Sequence, residues 1–362
     1  MKLSPITVRR LRSFRRNRRA WWSFIAFSAL TVFSMAADIV CPCDPRAVVD
    51  TAELEPYREC RIERSYDSKA IRYSILDDGT VVDYEGPAEY DESGYVIRRT
   101  RRPGYARVYM EPKISAAAVE SRLEPEEVSF PFRPCPGHPF GIDAGGRDVY
   151  ARVVHGLRIA LLFGVLLTLS GMLIGLVFGA IEGYFGGVVD ILCQRFTEIW
   201  SAIPFLYVMI FIGSTTGRSF TVLLICYAIF NWITVSCYAR AEFLRLRGAT
   251  FVDAARVEGK GALAIIFGEI LPNALTPLVT LFPFLLMGAI GSLAALDFLG
   301  FGLPPMTPSC GELLQEAQEH RGAWWLVVFP SLALFAVMML AVLVGEGLRD
   351  AFDPRRESRL VA

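Results

Sequence analysis

The residues whose types and spacing invite a mechanism lie between positions 250 and 272. The run Thr250-Phe251-Val252-Asp253-Ala254-Ala255-Arg256-Val257-Glu258-Gly259 sets three charged side chains around an adjacent pair of alanines, and Leu271-Pro272 follows. The spacing predicts a short helix. Thr250 is placed as its N-cap with Asp253 at the third helical position, a weaker form of the capping box, and Gly259 as its left-handed stop. Such a helix suits docking rather than bond making. Ala254 and Ala255 would keep one side low enough for another protein's backbone to approach, while Arg256 and Glu258 would orient that partner through polar contacts. A short amphipathic helix packed under a helical bundle would carry the same residues, so both readings stand at this point.

Bond-making chemistry finds little support. Gly259-Lys260-Gly261 lacks the spacing and the hydroxyl of a phosphate-cradling loop. His138, His155 and His320 are far apart, and neither a His-Glu-x-x-His nor a Gly-x-Ser-x-Gly run occurs. Cys41-Pro42-Cys43 has no histidine near it to complete a metal site. Asp190, Gln194, Thr197, Glu198 and Ser201 follow one helical stripe. That stripe would line a polar pathway or meet the inner aqueous surface, and the second is favoured. Asn231, Ser236 and Thr280 could offer hydrogen bonds in such a pathway, though contacts between helices suit them better. Gly288 and Gly291 read as close-packing positions, and Pro204, Pro277, Pro283 and Pro330 as kinks that let a pathway bend.

The elements that must position these residues are membrane helices. Hydrophobic residues make up 53% of the 362, and mean hydropathy is +0.39, above the roughly 45–50% apolar content of a soluble domain. A span needs about 20 apolar residues. Six segments without Asp, Glu, Lys or Arg qualify: 20–37, 160–181, 199–217, 219–239, 270–296 and 322–345. The first could be a cleaved signal peptide, but Trp21-Trp22 sits where an interfacial anchor belongs, and its retention is the expectation. Eight Lys or Arg and no acidic residue in the first 20 positions put the N-terminus in the cytoplasm. Although 37 basic and 37 acidic residues cancel overall, the one basic block runs into the first span as a membrane flank does, so nothing marks a nucleic-acid binder.

Alternation of the spans then gives a basic cytoplasmic N-terminus (1–19), a first span (20–40), an extracytoplasmic insertion (41–136), a core with five further spans (137–348) whose inner loop covers 240–272, and a cytoplasmic tail (349–362). The expected fold class is an all-α polytopic membrane protein with a small β-containing insertion. Within that insertion, Arg72-Tyr-Ser-Ile-Leu and Val81-Val-Asp-Tyr flank Asp77-Asp78-Gly79-Thr80 as a hairpin would, and Tyr95-Val96-Ile97 and the stretch 105–109 could add strands. A partly ordered loop is the alternative. Cys41, Cys43, Cys60, Cys135 and Cys310 fall on the outer side, where one or two disulfides or unpaired thiols are both open.

Several motifs in order carry a family resemblance. Asp253-Ala-Ala-x3-Gly259, nine residues, then Glu269-Ile-Leu271-Pro272 resembles the EAA motif of ABC importer permeases, in the spacing of the oligopeptide/dipeptide group. His138-Pro-Phe-Gly-Ile-Asp143-x3-Arg147-Asp148-Val149, Glu182-Gly-Tyr-Phe-Gly-Gly-x2-Asp190, Tyr238-Ala-Arg240-x-Glu242, Phe298-Leu-Gly-Phe-Gly-Leu-Pro-Pro and Gly345-Glu-Gly-Leu-Arg-Asp-Ala-Phe-Asp-Pro354 are similar to that group's other signatures. The resemblance is close over 137–356 and loose over 1–40. Departures are Glu269 for Ile, Cys310 for Trp and Glu346 for Asp.

The resemblance implies six transmembrane helices and a coupling helix at 253–259, with Asp253, Ala254, Ala255, Arg256, Glu258, Gly259, Leu271 and Pro272 as the ATPase-coupling residues. It also implies separate ABC ATPase subunits that bind the ATP and Mg²⁺, a second homologous permease, and an extracytoplasmic peptide-binding protein. The location would be the inner membrane, in contact with lipid. Asp190, Gln194, Asn231, Ser236 and Thr280 are the pathway candidates. The insertion with Ala70-Ile-Arg-Tyr-Ser resembles the subgroup linked to longer or modified peptides such as microcin C, while related permeases serve peptides, peptide-like antibiotics or nickel. A secondary transporter, which often shows an internal repeat, and a channel subunit are the alternatives.

Overall fold

The computed structural model describes residues 12–352, except Pro42 and, between 58 and 127, everything but the backbones of eight short strands. The chain divides into two compact units, Val48–Gly146 and the remainder.

The larger unit is built of helices. Asn17 opens α1 (Arg18–Met35) by accepting the Ala20 N–H. Asp148 opens α2 (Val149–Phe185) by accepting the Ala151 N–H at 2.9 Å. With 37 residues, α2 is roughly 55 Å long and extends past the hydrocarbon core of a bilayer. After it come α3 (Gly187–Ser201), α4 (Phe205–Thr216), α5 (Phe220–Arg247) and α6 (Thr250–Val257). They are followed by α7 (Ala262–Val279), α8 (Phe282–Phe298), α9 (Cys310–Glu319) and α10 (Trp325–Phe352). Among the described residues α2, α5, α7 and α10 are each long and apolar enough to cross a membrane, and α3 with α4 makes a fifth crossing if the pair is one span.

Two of the expected spans are broken. The segment 199–217 is a bent pair: α3 and α4 meet at 65°, because Pro204 lacks an N–H and turns Ile203 away from helical geometry. The segment 270–296 straddles α7 and α8, with the break at Thr280 and Leu281. Pro283 in the first turn of α8 cannot continue a helix from α7, and the Thr280 hydroxyl donates back to the Pro277 carbonyl at 2.6 Å. Within α7, Ile266–Ile270 forms a π-helical turn just before Pro272.

The tightest helix pair is α2 with α5, and glycines bring them together. Gly171, Gly175, Gly179 and Gly183 recur every four residues and so share one face. A Cβ on Gly175 would stand 2.5 Å from the Trp232 carbonyl oxygen, and one on Gly179 would stand 2.5 Å from that of Ser236. In the absence of a hydrophobic drive between lipid-embedded helices, such close backbone approach is what packing can supply. The expectation for Gly288 is not met: nothing lies within 4 Å of its missing Cβ, whereas Gly291 does approach Met338.

The smaller unit has a core of Leu54, Phe132 and Ile142, and paired backbone hydrogen bonds join Phe132 to Ile142. Those bonds carry residues 137–146 into the insertion, so the unit ends at Gly146 rather than at Pro136. Its strands are β1 (Cys60–Ile62), β2 (Ile71–Leu76), β3 (Val81–Asp83), β4 (Glu89–Tyr90), β5 (Val96–Ile97), β6 (Arg99–Thr100), β7 (Gly104–Met110) and β8 (Val119–Pro125). Six form an antiparallel sheet in the order β3-β2-β7-β8-β1-β6, and β4 pairs with β5. The hairpin read from the sequence is β2 with β3, paired through Ile75 and Val81. Its Asp77-Asp78-Gly79-Thr80 turn lies outside the described residues, as do the Cys60 side chain and the tail from 353.

Candidate functional site

The short helix α6 turns two faces in opposite directions. Val252 and Ala255 are buried against Phe243, Leu246, Ile265, Ile266, Ile270 and Ala274. Phe251, Asp253, Ala254, Arg256, Val257 and Glu258 are exposed, Val257 to 90%. Ala254 and Ala255 therefore do not form one low face. Successive helical residues are turned by about 100°, so Ala255 anchors the helix to its own bundle while Ala254 belongs to the free side. Leu271 packs half-buried at the edge of the same core, and Pro272 is exposed.

The helix ends differ in how closely they follow the sequence reading. Thr250 is the first helical residue and not the cap. Ala249 precedes it without a side-chain bond, and its carbonyl accepts the Val252 and Asp253 N–H groups. Asp253 instead pairs with Arg256 at 2.8 Å, one turn away. Gly259 does stop the helix, with a φ of 77°. Its N–H reaches the Arg256 carbonyl at 3.0 Å and that of Lys260 reaches the Ala255 carbonyl at 3.1 Å, the paired bonds of a Schellman cap.

Side chains outside the expected set brace the segments on either side of α6. Arg247, at the end of α5, donates to the Tyr184 carbonyl at 3.3 Å and packs on Gly186, so the turn after α2 is tied to the approach to α6. Lys260 contacts Glu258 at 3.1 Å and Glu269 at 2.8 Å. Donating hydrogen bonds to Glu269 and then to Glu258 holds its ammonium above the usual lysine pKa. Lys260 and Glu269 are nine residues apart across a helix break, a separation that no periodic pattern reports. The departure from the family pattern at Glu269 was the available signal.

The pathway candidates split into two groups. Asp190 and Gln194 face α5. The Arg240 guanidinium donates to the two Asp190 oxygens at 2.6 and 2.7 Å, and the Gln194 amide oxygen, in the orientation that satisfies both groups, accepts from Arg240 at 2.6 Å. Buried Glu182 lies 4.0 Å from Arg240 and accepts from the Ser236 hydroxyl at 3.4 Å. Ser236 is thus buried between α2 and α5. Asn231 packs on Gly171, and Thr280 closes the α7 break. The lower stripe residues bond within α3: Thr197 to the Cys193 carbonyl, Glu198 to Arg195 and Ser201 to the Glu198 carbonyl.

A second ionic cluster holds α9 against α2. Arg152, almost fully buried, donates to Glu312 at 2.6 Å and to Glu316 at 2.8 Å, and Arg147 reaches Glu316 at 3.1 Å. Glu312 and Glu316 are therefore matched by arginines rather than presenting free negative charge. Asp297, buried at the end of α8, accepts the Leu303 N–H at 2.7 Å and a short hydrogen bond from Ser309, which fixes the loop between α8 and α9. Among the described residues no group of three or more His, Cys, Asp or Glu could hold a metal ion.

Residues 171–358 match the family model described as binding-protein-dependent transport system inner membrane component. The chain is 35% identical to the peptidoglycan transport system permease protein YejE of Agrobacterium fabrum, over 98% of this chain and 95% of that one. It is 34% identical to the inner membrane ABC transporter permease protein YejE of Escherichia coli, over 98% and 99%. With the dipeptide transport system permease protein DppC of Haemophilus influenzae it shares 35% identity, over 61% of this chain and 75% of that protein.

Proposed function

Because the chain belongs to the family of binding-protein-dependent transport inner membrane components, we propose that it is the permease subunit of an ATP-driven importer whose cargo is a peptide. The observation that carries this reading is α6, a helix anchored through Val252 and Ala255 that leaves Phe251, Ala254, Val257 and Glu258 uncovered. A separate ABC ATPase would seat on that uncovered side. The ATPase would bind ATP and Mg²⁺, and this chain would carry out no hydrolysis. A second, homologous permease would complete the membrane pathway, and an extracytoplasmic binding protein would deliver the peptide.

The orientation that fits these roles puts α6 and both termini in the cytoplasm and Val48–Gly146 outside. Movement of the ATPase would then pass from α6 to α5 through Val252 and Ala255 packed on Phe243 and Leu246, on to the end of α2 through Arg247, and to α7 by Lys260 and Glu269, switching the bundle between outward- and inward-facing states. That transmission requires the ATPase to dock differently in the two states. The relatives that match 98% of the chain include one named for peptidoglycan transport, whereas the dipeptide relative matches 61%. The cargo that this pattern favours is a modified or cell-wall peptide rather than a free dipeptide.

The test is uptake of muropeptides into proteoliposomes that hold this chain, its homologous permease and its ATPase, with the binding protein supplied outside. Uptake that requires ATP and the ATPase supports the reading. Uptake by this chain alone, driven by an ion gradient, would replace it with a secondary transporter.

A further inference from the structure

We propose that the crossing of α1 and α10 is a binding site for one anionic phospholipid, its acyl chain in an apolar groove and its phosphate on the arginines at the groove's mouth. The groove has a volume of about 520 Å³ and is walled by Phe14, Trp21, Phe24, Phe282, Leu286 and Leu348. Trp21 and Phe24 stack with centroids 6.1 Å apart, and Phe14 meets both rings edge-on. The helices themselves touch at one end of it, where Gly347 leaves room for Ala20 and Phe14. An apolar slot of this kind beside membrane helices offers an alkyl chain a fixed wall.

A polar cavity lined by Arg16, Arg18, Arg19, Glu346 and Asp350 adjoins the groove, and the two share Ala351. Arg15 adds a fourth guanidinium, held 5.2 Å over the Trp21 ring. Among the described residues, four arginines against two carboxylates leave a local surplus of two positive charges. That surplus is complementary to a phosphodiester, and basic pockets between membrane helices bind anionic headgroups for this reason. Tryptophan at the junction of the polar and apolar parts matches the headgroup level of a bilayer. A zwitterionic lipid would fill the groove equally well but would gain less from the mouth, so the site selects by charge. This inference depends on the chain being embedded in a membrane and not on which cargo it carries.

The experiment is native mass spectrometry of the detergent-purified permease, with its partners, after exposure to equimolar phosphatidylglycerol and phosphatidylethanolamine. Wild type retains one phosphatidylglycerol in preference to phosphatidylethanolamine, by about fivefold for each arginine engaged. Arg16→Gln with Arg19→Gln, both at exposed positions, abolishes the preference while ATPase co-purification is unchanged. Val344→Trp, which fills the groove, removes the bound lipid whatever its headgroup. Equal retention of the two lipids by wild type, or a preference that survives the double arginine variant, overturns the proposal. So does an assembled complex that retains no lipid, since the groove would then be covered by protein. If the tryptophan variant does not fold, the arginine variant decides alone.

Discussion

Lys260 Nζ lies 2.8 Å from Glu269 Oε1, joining the end of α6 to the π-helical turn within α7. The two carboxylates around Lys260 raise its pKa, so the lysine stays charged through neutral pH and the contact does not switch with acidity there. Glu269→Gln is expected to leave insertion and ATPase binding intact but to reduce peptide uptake per ATP hydrolysed. The pair is solvent-exposed, so the loss should be modest, less than about fivefold. The charge-reversed pair Lys260→Glu with Glu269→Lys should recover part of it. Uptake and hydrolysis measured together on each variant check this.

Ala254 and Ala255 should separate docking from folding. Ala254→Asp puts a carboxylate on the exposed side, where it has water until the ATPase arrives. Expression and thermal stability should match those of the control Thr216→Ser, while ATPase recovery in pull-down falls by two decades or more. Ala255→Asp buries the carboxylate in the apolar core around Phe243 and Ile270, which costs about 2–5 kcal/mol. That variant should lose stability in the permease itself, measured by thermal denaturation in detergent without any ATPase.

Arg240 serves two carboxylates, Asp190 directly and Glu182 at 4.0 Å. Arg240→Met would leave the buried Glu182 without its cation. The expected destabilisation is about 2–4 kcal/mol, below that of a fully enclosed pair because Arg240 keeps some solvent contact. Adding Glu182→Gln should recover most of it, a rescue that a merely steric effect of methionine would not show. Denaturation midpoints of the two variants check the pair.

A glycine of α2 and one of α8 give predictions of opposite sign. Gly179→Ala places a methyl 2.5 Å from the Ser236 carbonyl oxygen, so α2 and α5 must move apart, at a cost of about 1–3 kcal/mol. Gly288→Ala meets nothing and should be neutral or gain up to about 1 kcal/mol from helix propensity. Melting temperatures of the two variants beside wild type make the comparison.

What the sequence reveals and conceals follows from which features are local. Gly259 is legible because a positive φ beyond a helix favours glycine. The apolar runs that place the membrane helices, and the alternation around Asp78-Gly79 that pairs β2 with β3, are likewise carried within one segment. The two broken spans were signalled by Pro204 and Pro283, but a proline in an apolar run fits a kink as well as a full break. Adjacent alanines at 254 and 255 suggest a low face only until the 100° turn between them is applied. The four-residue glycine repeat from 171 to 183 is the legible sign of the α2–α5 contact, whereas Gly288, in an equally apolar run, has no neighbour within 4 Å. Lys260 with Glu269, Arg152 with Glu312 and Arg240 with Glu182 join residues that only the folded chain brings together.

Crosslinking from α6 tests the coupling role proposed for this helix most directly. Val257, 90% exposed, is replaced by cysteine in an assembled importer whose exposed Cys43 and Cys237 are replaced by serine, and is labelled with a short thiol-reactive photo-crosslinker, with Ala255→Cys and Thr216→Cys as the buried and opposite-end controls. The expected result is a covalent adduct between the Val257→Cys permease and the ATPase subunit, in a yield that changes between ATP-bound and nucleotide-free states, and no adduct from either control. An absent adduct at Val257 in a complex that still transports, or equal capture from Thr216→Cys, would contradict the assignment of α6 as the helix that couples ATP hydrolysis to transport.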